Sequence, residues 1–562
     1  MRCAIQVSLL LALATPALAR ADAVDNYIQS QMRRQHIPGL SLAVVVDGKV
    51  VKAKGYGLSN LETDTPATPE TVYQLASVTK QFTATAVLML VQDGKLNLDD
   101  PIQKFIEGTP DIWEGISIAH LLSHTSGIKD YLNELNVRSP EEMTPKKIVG
   151  LVVDQPLNFA PGDKYSYSNT GYVMLGMIVN KMSGMPYDVF LTERVFKPLG
   201  MDATRRSSLD VIRNRAAGYT WVGDRWQNSP YLNPTLWDNG DGGMLSTVLD
   251  LAKWDAALYG EAILNEATKQ KMWSRGTLKD GKSINSGFGW GLDELRGHRL
   301  IAMNGGRPGT TTNLARYVDD KVTVIVLLNC DAEIGRISCG VARHFIPSLN
   351  FPKPITEEIA PARLTAYTGR YEFANNFMLT INLEDGRLVE RSPKLAGGFW
   401  SPVSETTFLS EDLPIEMTFD LGGQGEVVGL TWRSDLRKKT VPRIGPLIHD
   451  LEPQADPDPE RTGRVRAALE SFAKGGQAVE RAENLTPGAK KDFGRAARSD
   501  LAGLQSLTFI SQERIGDRGI ERHGEKVAHI LYYKFTTPKG TRYLLVHLTA
   551  GGLLTDMDVV DN

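Results

Sequence analysis

Apolar positions along this chain change their spacing several times, and each change predicts a different kind of structure. Leu42, Val44 and Val46 alternate with other residues, and Val50 and Val51 follow the pair Asp47-Gly48. That pattern predicts a hairpin over residues 40–54 with a two-residue turn. Phe82, Ala86, Val87, Met89, Leu90 and Val91 recur at helical spacing, as do Tyr172, Leu175, Ile178 and Val179. Both runs predict buried helices. Residues 116–246 mix helical runs with loops and predict an α-rich subdomain beside a sheet. Further strands are expected over 287–292, 299–303, 311–317 and 322–329. Val322 to Leu328 is apolar at nearly every position, as in a strand covered on both faces. A helix over 338–345 then closes a first domain, 22–350.

Phe351-Pro352-Lys353-Pro354 marks a boundary. Beyond it the period falls to two. Leu379, Ile381 and Leu383 alternate up to Asp385-Gly386, and Ile415, Met417 and Phe419 repeat this before Gly422-Gly423-Gln424-Gly425. Short alternating strands with glycine turns predict a small antiparallel barrel over 360–450. Pro453, Pro457 and Pro459 mark a second linker. The last segment, 460–562, begins with a helical pattern from Val465 to Phe472. It ends in strands near 507–510, 527–535, 543–548 and 554–560, which together predict an α+β domain.

Composition narrows the class. A chain of 562 residues exceeds one typical domain. Its net charge of −3 gives no reason to expect nucleic acid or an acidic membrane as a partner. Arg2, the apolar run from Ile5 to Ala14, and the small-x-small triplets Ala17-Leu18-Ala19 and Ala19-Arg20-Ala21 read as a signal peptide over 1–21. The run is too short to span a bilayer, so an exported, periplasmic or secreted protein with no transmembrane anchor is expected. Cys3 lies at the very start, away from the cleavage point, which does not support a lipid anchor. Export permits a disulfide between Cys330 and Cys339. Their spacing, across a strand end and a helix start, favours two buried thiols.

The candidate chemistry lies in Ser77-Val78-Thr79-Lys80, which opens the first helical run. Residues three apart share a helix face, so Ser77 Oγ and Lys80 Nζ can meet as nucleophile and base. Tyr167-Ser168-Asn169 precedes the second run. A tyrosine there can shuttle a proton to a leaving group, and Asn169 can hold the lysine or a substrate amide. Taken singly, such motifs are more often a helix cap and a turn. Together, and with Leu121-Leu122-Ser123-His124-Thr125-Ser126-Gly127, Pro198-Leu199-Gly200-Met201 and Gly242-Gly243-Met244-Leu245-Ser246-Thr247, they resemble the serine β-lactamase and penicillin-recognising superfamily. The resemblance is to its class C-like branch, which includes D-aminopeptidases, D-alanyl-D-alanine carboxypeptidases and esterases. It implies an α/β (α+β), transpeptidase-like sandwich with an antiparallel sheet and an α-rich subdomain. The later barrel is similar to lipocalin-like accessory domains, and the last domain loosely resembles nuclear-transport-factor-like folds.

The resemblance also implies a third motif on the strand lining the site, Lys-Thr-Gly or His-x-Gly. Here the matching residues are Met303-Asn304-Gly305, followed by Gly306-Arg307. A thioether cannot grip a carboxylate as a cation does. The implied oxyanion hole, the backbone N–H groups of Ser77 and Gly306, needs no side chain. Met303, Asn304, Gly305 and Arg307 are the expected substrate contacts. His298, at an odd offset from Met303, is expected on the opposite strand face. The expected function is a serine hydrolase that cleaves an ester or amide bond, including D-amino-acid peptides, without metal or organic cofactor. The alternative is a binding protein on the same fold, recognising cell-wall peptide or a protein partner. His120 and His124, four apart, lack a third metal ligand, and Gly127 is expected as a left-handed helix cap. His523, His529 and His547 are scattered and read as structural. The loops 129–144 and 223–241 are expected to shape the pocket, with Trp226, Tyr231 and Trp237 of the second suggesting an apolar wall.

Overall fold

Seven strands form one antiparallel sheet in the first half of the computed structural model. Their order is Thr65–Pro66, Lys49–Asn60, Gly39–Val46, Val322–Leu328, Thr310–Tyr317, His298–Arg307 and Gly291–Leu295. The chain divides into two units, Met1–Asn350 and Phe351–Asn562. The structure describes residues 15–133, 142–222, 225–230, 240–350, 359–374, 377–391, 398–411, 413, 415–434, 437–451, 453–474, 477–492, 501–515, 521–538 and 540–560.

The first hairpin turns where the sequence predicts. Asp47 and Gly48 both have positive φ, 49° and 73°, which a tight type I′ turn requires. Gly39–Val46 is not a half-buried strand, however; all but its last residue are buried. The reason is its place beside Val322–Leu328, with Val44 opposite Val324, in the middle of a sheet covered on both faces. On one face Ala43, Val45, Ile325 and Leu327 pack with Phe82 and Leu90 of the helix Lys80–Gln92. On the other, Leu42, Val44, Val324 and Val326 pack with Ile337 and Val341 of the helix Ile334–Arg343. That helix begins four residues before its predicted start. A buried ion pair, Arg316 Nε to Asp255 Oδ1 at 2.6 Å, ties the sheet to the helix Val248–Tyr259. Cys330 and Cys339 are buried and unbridged. A helix over Thr15–Arg34 overlaps the end of the expected signal peptide. No helix among the described residues is long and apolar enough to cross a membrane.

The second unit contains a closed barrel of eight strands, from Gly369–Ala374 to Arg437–Gly445. Tyr371, Ile381, Trp400, Phe419 and Leu430 fill its interior, the alternation read from sequence. A four-stranded antiparallel sheet follows, in the order Ser506–Arg514, His529–Thr537, Gly540–Leu548, Leu554–Val560. One face packs on Val465, Leu469 and Phe472 of the helix Pro459–Lys474. The other, through Ile530, Tyr532 and Leu545, shares a core with Met378, Ile444 and Ile448 of the barrel region.

Candidate active site

Ser77 lies in a 3-10 turn, Ala76–Thr79, that runs directly into the helix Lys80–Gln92. Its predecessor Ala76 is buried in the left-handed region, φ 48°, a conformation that costs a non-glycine residue about 1–3 kcal/mol. The site strand forms the opposite wall. A Cβ on Gly305 would stand 2.1 Å from the Leu75 carbonyl oxygen and 3.1 Å from the Ser77 nitrogen. Only glycine lets strand and turn approach this closely. Thr312 Oγ1 donates to the same Leu75 oxygen at 2.7 Å and completes the clamp.

Lys80 is fully buried. Its Nζ lies 3.2 Å from Ser77 Oγ, 2.8 Å from Asn169 Oδ1 and 2.6 Å from the Asp241 backbone oxygen. The last two atoms can only accept hydrogen bonds. They fix two N–H directions and leave the remaining tetrahedral position facing the serine. An ammonium donates along that direction; a neutral amine presents its lone pair there and can receive the serine proton. Tyr167 covers this group, with Nζ 4.9 Å from its ring centroid.

The second motif sits at the start of the helix Asn169–Ser183, where Ser168 Oγ caps Gly171 N at 3.4 Å. Asn169 is held from behind. Asp130 Oδ2 accepts from its Nδ2 at 2.8 Å and from its backbone N–H at 3.2 Å. That turns Oδ1 toward Lys80. His124 stacks on the Tyr167 ring with centroids 4.4 Å apart, and its Nδ1 accepts from Ser168 N at 3.1 Å. Burial, with the Lys80 charge close by, pushes His124 down to about 3, so it stays neutral. Burial pushes the Asp241 carboxyl up to about 6, against the opposing pull of Lys80 and the Tyr131 hydroxyl. Tyr131 donates to Asp241 Oδ2 at 2.9 Å, while Asp241 Oδ1 has no hydrogen-bond partner among the described residues.

Ser77, Lys80, Tyr167 and Asn169, named from sequence, thus converge. Asp130, His124, Tyr131 and Asp241, which hold them, were missed as site residues. The sequence pattern places His124 in a helix end capped at Gly127. The helix stops at Leu122, and His124 itself takes the left-handed position, φ 57°. Gly127 also has positive φ, 77°, but there a Cβ would meet the Phe159 oxygen at 2.1 Å. Met303 lies on the same strand face as Gly305 and packs against the core around the Lys80–Gln92 helix. Asn304 projects from the other face, is exposed, and accepts from Asn313 Nδ2. Arg307 lines a cavity of about 230 Å³ with Gln74, Arg215, Asn228 and Ser229. Burial, with Arg215 nearby, lowers its guanidinium to about 10. It lies four residues past Met303, roughly 13 Å along the strand, so it cannot stand in for a cation at position 303. His298 faces away, tied to Asp320 Oδ2 at 2.7 Å and Ser348 Oγ at 2.9 Å. Gly291–Leu295 pairs only with residues 298–302, so from Met303 onward the outer edge of the site strand has no partner strand among the described residues. Trp226 packs on Trp221, centroids 4.9 Å apart, and against the core on the far side of the sheet, so it is not a pocket wall. Tyr231 and Trp237 lie outside the described residues.

The Beta-lactamase family profile matches residues 24–336, over half of the chain. This chain belongs to the beta-lactamase family. A domain of unknown function, DUF3471, matches residues 353–443, the barrel region. Penicillin-binding protein 4* of Bacillus subtilis (strain 168) is 30% identical over 401 residues, covering 67% of this chain and 88% of that protein. The octameric penicillin-binding protein homologue from Pyrococcus abyssi is similar in structure, with TM-score 0.55 and 25% identity over 75% of this chain and 99% of that one. The D-amino acid amidase from Ochrobactrum anthropi SV3, solved with L-phenylalanine amide, has TM-score 0.52 and 26% identity over 59% of this chain and 98% of that one. Membership in a family of serine hydrolases accords with the convergence of Ser77 and Lys80.

Proposed function

We propose that this protein is an exported serine hydrolase that cleaves an ester or amide bond through an acyl-enzyme on Ser77. One observation carries this reading: two fixed acceptors hold Lys80 Nζ so that its third direction faces Ser77 Oγ. Ser77 Oγ attacks the substrate carbonyl carbon as its proton passes to Lys80. The backbone N–H groups of Ser77 and Gly306 hold the oxyanion. Tyr167 relays the proton to the departing oxygen or nitrogen, the bond to the leaving group breaks, and the acyl group stays on Ser77. Water, deprotonated by the same relay, then releases the acid and returns the proton to Ser77.

The likeness to a D-amino acid amidase supports the amide branch. Met303, Asn304, Gly305 and Arg307 are the proposed substrate contacts, with the substrate backbone lying along the open strand edge. Met303 offers no charge, so substrates without a free carboxylate at that end are favoured over β-lactams and acyl-D-Ala-D-Ala peptides. The apolar run and small-x-small triplets before residue 22 support export, and contact with cell-wall peptide suits that location.

Turnover of a short p-nitrophenyl ester, a D-amino acid amide, an acyl-D-Ala-D-Ala peptide and a penicillin tests the reading. Ester or D-amide hydrolysis exceeding penicillin hydrolysis by about tenfold or more, about 1.4 kcal/mol in barrier, is expected. Penicillin as the preferred substrate would sink the specificity argument. Met303 also motivates a second reading, a binding protein with little catalysis. Met303→His separates the two: a large gain from a near-silent parent favours the binder, and a small change in an active parent favours the hydrolase.

A further inference from the structure

Three histidines that look scattered in sequence are not equally so in the fold. His523 and His547 both approach Asp556, whereas His529 stands at the start of its strand, opposite Arg514 and Leu548. His547 and Asp556 face each other across the antiparallel strands Gly540–Leu548 and Leu554–Val560. Asp558, two residues on, projects from the same face. One donor atom from each of His547, Asp556 and Asp558 lies within 4.8 Å of the others. His547 is 1% exposed, yet among the described residues neither of its ring nitrogens has a partner at full hydrogen-bond geometry, although the ring lies close to the Asp556 backbone. An imidazole buried without a partner carries a desolvation cost that a ligand would remove.

The buried charges beside it are drawn into pairs. Arg370 pairs with Glu513 at 3.1 Å, and Arg522 with Glu372 at 3.1 Å. Arg522 Nε and His523 Nε2 reach Asp556 only at 3.4 and 3.3 Å. One nitrogen and two carboxylate donors suit a borderline ion such as Zn²⁺, whereas Ca²⁺ and Mg²⁺ take oxygen sets.

We propose that His547, Asp556 and Asp558 form a divalent transition-metal site, of the zinc class, that pins the last two strands together on the face turned to the barrel. Bonds of about 2.0–2.1 Å require the three donors to draw closer than the 4.8 Å within which they now stand. The site is structural and takes no part in the chemistry at Ser77.

The test uses the full chain, stripped with EDTA and dialysed against Zn²⁺ or Co²⁺. About one zinc per chain by elemental analysis, and a cobalt ligand-field band in the visible, are expected. H547F should abolish both, while its thermal midpoint in metal-free buffer stays equal or rises, because an unpartnered polar ring has been replaced by an apolar one. D558N should weaken zinc binding by roughly tenfold or more, and it supplies the reading if H547F fails to fold. Substoichiometric zinc with no cobalt band, or binding that both variants leave unchanged, overturns the proposal.

Discussion

Asp241→Asn probes the electrostatics beneath the nucleophile pair. The Asp241 carboxyl is fully buried and raised from 3.8 to about 6, chiefly by burial. A carboxyl whose folded pKa exceeds its unfolded one favours the folded state below pH 3.8, and that advantage is lost as pH rises through 6. At ~1.4 kcal/mol per pH unit, the loss amounts to about 3 kcal/mol. Asparagine does not titrate, and its carbonyl can still accept from the Tyr131 hydroxyl. Its amide would meet the position where Oδ1 has no hydrogen-bond partner among the described residues, a cost of about 1–3 kcal/mol that does not vary with pH. The variant should therefore gain about 3 kcal/mol relative to the parent between pH 3.5 and 7.5. Urea unfolding followed by tryptophan fluorescence at a series of pH values measures this difference. Titrations common to both proteins, including that of buried His124, cancel. A flat difference, or a variant that loses ground as pH rises, would refute the reasoning.

Three further outcomes follow from the geometry. Gly305→Ala should abolish hydrolysis and lower stability by about 1–3 kcal/mol or more, since its Cβ would meet the Leu75 oxygen at 2.1 Å; Gly306→Ala, with nothing within 4 Å, should keep most activity because the proposed oxyanion donor is backbone. Parallel rates and thermal melts check the pair. Asp130→Ala should cut kcat by roughly 10–100-fold with KM little changed, because Asn169 loses both bonds that aim its Oδ1 at Lys80; steady-state kinetics read the split. His124→Ala should likewise lower kcat, through loss of the ring stacked on Tyr167, and should flatten the fall in stability between about pH 6.5 and 3, where the buried neutral imidazole must take up a proton; acid unfolding measures that slope.

Parts of this protein whose cause is local were legible in its sequence. Ser77 and Lys80 meet because three residues span one helical turn. The barrel shows itself because period-two strands and glycine turns need no distant partner to be recognised. The hairpin at Asp47-Gly48 is fixed by backbone geometry that few residue pairs adopt. What escaped depends on chain closure. Asp241 grips Lys80 through a backbone oxygen, which no residue type announces, from 161 residues away. Asp130 reads as an ordinary loop acid until the fold sets it behind Asn169. His124 looked like the tail of a helix, because its left-handed backbone and its stack on Tyr167 are tertiary facts. His547 looked scattered because only pairing of the last two strands sets it opposite Asp556, and His523 because it reaches the same aspartate from a separate short hairpin.

Covalent trapping tests the central claim most directly. The folded protein, incubated with a fluorophosphonate and read by intact-mass and peptide mass spectrometry, should gain one adduct, on Ser77. Ser77→Ala should gain none, and Lys80→Met should react far more slowly. An adduct that persists in Ser77→Ala, or a folded parent that stays unlabelled, would contradict the assignment of Ser77 and Lys80 as nucleophile and base.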